Sequence, residues 1–208
     1  MNTTLTHNDF VKIFNNSFVY SISEKNEFDT GVDKYILPRV MKDVQVRMLG
    51  VKADNPQALL NLKSQLASYI KEHFWNYFNG SLSFEEFHKT ACNDIMNIFS
   101  ERYNNVRYGK AQKIVNMTFK YFYCFDKSCQ MEEKFDDCHM PLDSKILDWY
   151  KANIDKTQKT AWSYLEKEEY DQIQNKIKNY IKHNYCPYTV LQSEFVIWDN
   201  EINKNKVH

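Results

Sequence analysis

Glycine and proline are scarce in this chain, with four of each in 208 residues. That is too few for the many tight turns a β-sandwich or barrel needs, and helices joined by polar loops fit the composition better. Net charge is missing as well. Lys plus Arg equals Asp plus Glu at 27 each, so no global positive field draws the chain to a phosphate backbone or an anionic membrane. Any nucleic-acid contact has to use a local patch. No uninterrupted apolar run approaches the roughly 18 residues that span a bilayer. The opening MNTTLTHNDFVKIF lacks the basic start, apolar run and cleavage site of a secretory signal. The expectation is a cytoplasmic protein with no membrane partner, in which the five cysteines, an odd number, are reduced thiols.

Aromatic residues are what the chain has in abundance. With 14 Phe, 14 Tyr and 4 Trp, much of the core should be ring packing with polar tips near the surface. No internal repeat or low-complexity linker divides the sequence. The fold class expected is therefore all-α, a single compact multi-helix domain over residues 1–208, with a polar loop at 126–140 and a loose tail from about residue 200.

Periodicity places the helices. Phe10, Val11, Phe14, Phe18 and Ile22 recur at helical steps, with Asn8 or Asp9 as cap. A polar stretch from Ser23 to Thr30 leads to Val32–Leu49, where Pro38 imposes a start, a kink or a division into two helices. Pro56 suits the first turn of a long helix to about Phe78, ended by Gly80. Ser83 and Glu86 form the pattern of a capping box before Phe84, Phe87, Ala91, Ile95 and Phe99. Further helices are expected from about Gly109 to Phe125, from Pro141 to about Asn153 and within Tyr164–Tyr185, which Pro187 closes. Ser193–Trp198 reads as a short helix or a strand.

One stretch carries chemistry. Gly109 stands at the mouth of a helix, with Lys110 and Lys113 in its first turns. The helix dipole makes basic residues there mildly unfavourable unless an anion is near, and free backbone amides at that end would hold a phosphate or carboxylate. Lys113, Asn116 and Lys120 align into a polar stripe while Ile114, Met117, Tyr121, Phe122 and Phe125 pack inward. Downstream, Pro141-Leu142-Asp143 places a carboxylate at the entry to the next helix. A lysine amine against hydrophobic walls attacks an electrophilic carbon, and a carboxylate close by stabilises the positive sugar-like centre that develops. Cleavage of a glycosidic bond uses that pair of roles, and needs no cofactor.

The order of glycine, lysine at a helix start, apolar helix, loop and Pro-Leu-Asp resembles the helix-hairpin-helix DNA glycosylase superfamily, in particular its 8-oxoguanine branch. The resemblance is limited to about residues 107–150. It implies a glycosylase-like enzyme, a hydrolase or lyase of base excision repair, that cleaves an N-glycosidic bond in a damaged DNA base or a related nucleoside or nucleotide. Lys113 or Lys110 would be the nucleophile and Asp143 the assisting residue, with Gly109, Asn116, His139 and Trp149 as substrate contacts. The family has two hairpin glycines and its lysine two residues after the second. Here only Gly109 is present, and the lysines stand one and four residues after it.

Plainer assignments exist for the same residues. Lys110 and Lys113 then form a solvated helix face, Asp143 is a helix cap, and Trp149, Trp162 and Trp198 are core rings. Function then falls to a non-enzymatic helical interaction protein of a mobile element, in which aromatic and lysine-rich helices bind a protein partner. A third reading is a zinc-stabilised nucleic-acid binder using Cys124, Cys129, Cys138 and His139, although paired Cys-x2-Cys knuckles are absent.

Overall fold

A computed structural model describes residues 24–44, 56–100, 106–125 and 132–204, together with Thr6 and Asp9. The helix expected around Phe10–Ile22, the end of the Val32–Leu49 segment and Cys129 lie outside the described residues. Helix α1 comprises Lys25–Gly31 and Leu37–Asp43 joined by a π turn at Val32–Ile36. Helix α2 comprises Pro56–Tyr69 and Trp75–Asn79 joined by a π turn at Ile70–Phe74. Then follow α3 (Phe84–Ser100), α4 (Tyr108–Phe125), a 3-10 turn (Glu132–Phe135), α5 (Ser144–Asn153), a second 3-10 turn (Trp162–Tyr164), α6 (Lys167–Asn184) and α7 (Val190–Lys204). Among the described residues there is no strand, so the fold is all-α. No described helix is long and apolar enough to cross a membrane.

Pro38 sits just beyond the π turn of α1. Proline has no N–H for the preceding turn and its ring crowds the carbonyl four residues back; a widened turn relieves both conflicts without ending the helix. Within the polar stretch before it, Lys25–Gly31 is helical, and Phe28 reaches the core and stacks on Phe122 at 4.8 Å between centroids. The Lys25–Asp29 ion pair lies on the exposed side of that first turn. At the start of α3 the capping box forms as expected. Ser83 Oγ meets Glu86 Oε2 at 2.6 Å, and the Glu86 N–H donates back to Ser83 Oγ at 3.4 Å. The last apolar run resolves as helix, and α7 continues to Lys204 past the point where the tail was expected to loosen.

Helix α4 is the axis of the molecule. Every residue of it except Lys110 is buried, and it packs against α1, α3, α6 and both 3-10 turns. One side joins the aromatic core, where Phe119 and Phe122 meet Phe74 and Phe78. Such ring pairs contribute about 0.5–1.5 kcal/mol each beyond their buried area. The surprise is the rest of the helix. Gln112, Lys113, Asn116, Thr118 and Lys120 are all buried too, so the polar stripe of Lys113, Asn116 and Lys120 is interior, Lys113 is not on a solvated face, and each of these groups needs a partner there.

Candidate functional site

Two polar clusters meet on α4, one on each of two adjacent stripes. At 3.6 residues per turn, Lys113, Met117 and Lys120 share a face, while Gln112 and Asn116 share another about a quarter-turn away.

On the lysine face, Lys113 is 7% exposed. Its Nζ lies 3.8 Å from Asp143 Oδ2 and 4.7 Å from the centroid of Trp162. Asp143 is the N-cap of α5, and its Oδ1 accepts the Ile146 N–H at 3.0 Å. The aspartate is therefore both cap and ion-pair partner. Two turns along α4, Lys120 Nζ donates to Glu194 Oε1 at 2.8 Å, and both side chains are 2% exposed. Burial pushes the Glu194 carboxyl up, and Lys120 opposes that shift. The same ammonium lies 5.1 Å from the Phe195 ring and 5.2 Å from Trp198. A cavity of about 130 Å³ opens among these groups, with Lys113, Lys120, Asp143, Glu194, Asp43 and Trp198 in its walls. Tyr121 donates its hydroxyl to Asp43 beside it.

Lys110 is not among the residues lining that cavity. It is half-buried at the start of α4, and burial together with Arg107 lowers its pKa. Gly109 also stands apart from the lysine site. Its N–H donates to Leu165 O at 2.9 Å, and a Cβ built on it would fall 1.8 Å from Trp162 O. Glycine is required there because α4 touches the backbone of the 162–165 segment. The amide expected to hold an anion is already bonded, and the Lys110 and Ala111 N–H groups turn back to Arg107 O.

The Gln112–Asn116 face carries a buried network that motif reading missed. Asn116 donates to Tyr170 Oη at 2.9 Å and to Gln112 Oε1 at 3.0 Å. Tyr170 Oη also lies 2.8 Å from His139 Nδ1 and 3.2 Å from His88 Nε2, and Tyr108 Oη is 3.4 Å from His88 Nδ1. His139 Nε2 meets Glu85 Oε1 at 3.1 Å. With His139 neutral, one set of proton positions satisfies the row. Glu85 only accepts, so His139 donates from Nε2 and accepts at Nδ1 from the Tyr170 hydroxyl. Tyr170 then accepts from His88 Nε2, and His88 Nδ1 accepts from Tyr108. Burial pushes the His88 pKa well down, which keeps that ring neutral, and burial keeps the Tyr170 phenol protonated. The hydrogen bond from His139 lowers the Glu85 pKa.

Of the substrate contacts drawn from the resemblance, Asn116 and His139 thus converge on Tyr170, apart from the lysine cavity. Trp149 packs edge-on against Tyr180 at 5.7 Å. His88 and Tyr170 had a detectable signal: each falls on the apolar face of its helix, and a histidine there has to find partners indoors. For the zinc reading, Cys124 and Cys138 are buried free thiols whose pKa values burial raises. Among the described residues no group of three or more His, Cys, Asp or Glu side chains is arranged to hold a metal ion. No family model, curated protein or solved structure matches the chain.

Proposed function

We propose that the Lys113–Asp143 cleft is the reactive centre of a glycosylase-like enzyme that cleaves an N-glycosidic bond in a damaged DNA base or a related nucleoside or nucleotide. The observation that carries the reading is the placement of the Lys113 amine, nearly buried against Trp162 and 3.8 Å from Asp143 Oδ2. Lys113, having given a proton to solvent, attacks the sugar C1′. The C1′–N bond breaks with its electron pair going to the base, which takes up a proton. The amine nitrogen then loses a proton, the C1′–O4′ bond breaks with its electron pair going to O4′, which takes up a proton, and the ring opens to a Schiff base. Water later adds at C1′, releases the sugar and restores the amine. Asp143 stabilises the positive charge that develops at C1′. A cavity of about 130 Å³ suits the sugar carbon and its immediate substituents, and zero net charge favours a nucleoside or a short strand over a long duplex.

Borohydride trapping tests this directly. Incubation with abasic or 8-oxoguanine substrates and borohydride is expected to give a covalent adduct, retained in Lys110→Met and lost in Lys113→Met. Folded protein that yields no adduct with any of these substrates would sink the proposal.

A second reading is favoured by the adjoining Lys120–Glu194 pair and by the capping bond of Asp143. Both join secondary elements around α4, as a charged lock in a non-enzymatic interaction protein would. Folded wild type that gives no adduct with any of these substrates would point that way.

A further inference from the structure

A second cavity, of about 350 Å³, lies between α3 and α6, beside the His–Tyr network. That volume falls within the range of small-molecule sites. Three rings, His88, Tyr108 and His139, form part of its wall, and Gln174, Glu85 and Asp171 contribute polar groups. Proton positions that satisfy the network leave these three residues with acceptors to spare. Gln174 Nε2 donates to Met140 O at 2.7 Å. A carbonyl only accepts, so this bond fixes which end of the amide is which. Gln174 is 3% exposed, and its buried Oε1 has no hydrogen-bond partner among the described residues. Glu85 spends Oε1 on His139, and Asp171 spends Oδ2 on Lys167, which, among the described residues, leaves one carboxylate oxygen on each open to a further donor. Of the two lysines in the wall, Lys167 is thereby neutralised, and Lys89 is exposed.

We propose that this cavity binds a planar ligand presenting adjacent N–H donors, an aryl amidine or an amino-substituted nitrogen heterocycle, held by Gln174 Oε1, Glu85 and Asp171 against the rings of His88, Tyr108 and His139. Ring faces select a flat ligand, because offset stacking and edge contacts reward aromatic partners. Surplus acceptors select its donor edge, since an acceptor facing an acceptor loses solvation and gains nothing. A neutral His88 adds no repulsion toward a cationic head. The assignment does not rest on the lysine reading, because neither Lys113 nor Asp143 lines this cavity.

Calorimetric titration of the full chain with benzamidine, benzoate and adenine tests it. The first two share a ring and a planar head but differ in donor and acceptor character, and adenine distinguishes a neutral amino heterocycle from a cationic amidine. Benzamidine or adenine is expected to bind at least about tenfold more tightly than benzoate, in wild type and in Lys113→Met alike. Gln174→Leu is expected to weaken that binding about tenfold, and Asp171→Asn serves the same purpose if Gln174→Leu does not fold. Benzoate binding as tightly as the donors, no binding of either donor at millimolar concentration, or an affinity indifferent to the folded variant would each overturn the proposal.

Discussion

Asp143 divides its carboxylate between two tasks: Oδ1 accepts the Ile146 N–H at 3.0 Å, and Oδ2 faces Lys113 Nζ at 3.8 Å. The division makes the two roles separable by substitution. Asp143→Ala removes both and is expected to cost about 1 kcal/mol through the lost cap. Asp143→Asn keeps an oxygen for the cap and loses only the charge. The Lys113 and Asp143 side chains are 9% and 22% exposed, so Asp143→Asn leaves a nearly buried ammonium without its counter-charge. It is expected to cost stability through that loss alone, less than the roughly 3–5 kcal/mol of a fully buried pair. Adduct formation, by contrast, is expected to fall in both variants. Equal destabilisation by the two substitutions would show that the charge, not the cap, is the structural contribution.

The Lys120–Glu194 pair joins α4 to α7 with both side chains 2% exposed. Removing one partner strands the other charge indoors, so Glu194→Leu is expected to cost about 3–5 kcal/mol. Replacing both, as Lys120→Met with Glu194→Leu, removes the desolvation penalty along with the attraction and should recover most of that loss. Denaturant melts of the two single variants and the double variant form a cycle. Strict additivity would mean that the two side chains do not stabilise one another.

Helix positions in this chain are legible because they rest on local signals. The Ser83–Glu86 box, Pro56 near the start of α2 and the 3.6-residue spacing of α3 each act within one turn. Pairing Lys113 with Asp143 was legible as a question, since both belong to one stretch. Burial of α4 on all sides was not. Lys113, Asn116 and Lys120 look like a solvated stripe in sequence, and only the neighbouring α5, α6 and α7 turn that stripe inward by supplying Asp143, Tyr170 and Glu194. His88 shows on the apolar face of α3, yet its network was not legible, for the same reason. Its partners Tyr108 and Tyr170 are distant in sequence, and no motif links them. Gly109 is legible as the residue at the mouth of α4, but its contact with the backbone of the 162–165 segment is not, because no motif links the two.

That contact gives a sharp stability test. The Cβ of Gly109→Ala would lie 1.8 Å from Trp162 O and 3.2 Å from Leu165 N, both backbone atoms that cannot rotate away. Either α4 or the 162–165 segment has to shift, breaking the Gly109 N–H bond to Leu165 O. Overpacking of this kind usually costs about 1–3 kcal/mol, and the rigid obstacle places Gly109→Ala at or above the upper end. Since Trp162 also covers the Lys113 amine, the variant should lose trapping activity along with stability. A melting temperature within a degree or so of wild type would mean that the segment yields easily and does not fix the cleft.

His88 predicts how stability depends on pH. Burial holds its folded-state pKa well below the ordinary imidazole value of 6.5, so the folded ring stays neutral where the unfolded ring takes up a proton. The unfolded state then binds more protons, and stability falls as pH drops below 6.5, by up to about 1.4 kcal/mol per pH unit until the folded pKa is reached. Between pH 6.5 and about pH 5 Glu85 and Asp155 contribute little, because their pKa values are lowered from ordinary values of 4.5 and 3.8. Glu194, whose pKa burial raises, acts with the opposite sign in wild type and variant alike. His88→Asn, which cannot titrate, should therefore show a flatter dependence over that window in urea melts, whatever its stability at pH 7. If wild type and His88→Asn decline in parallel, the imidazole is protonated in the fold. The proton order from Tyr108 through His88 and Tyr170 to His139 would then have to be redrawn.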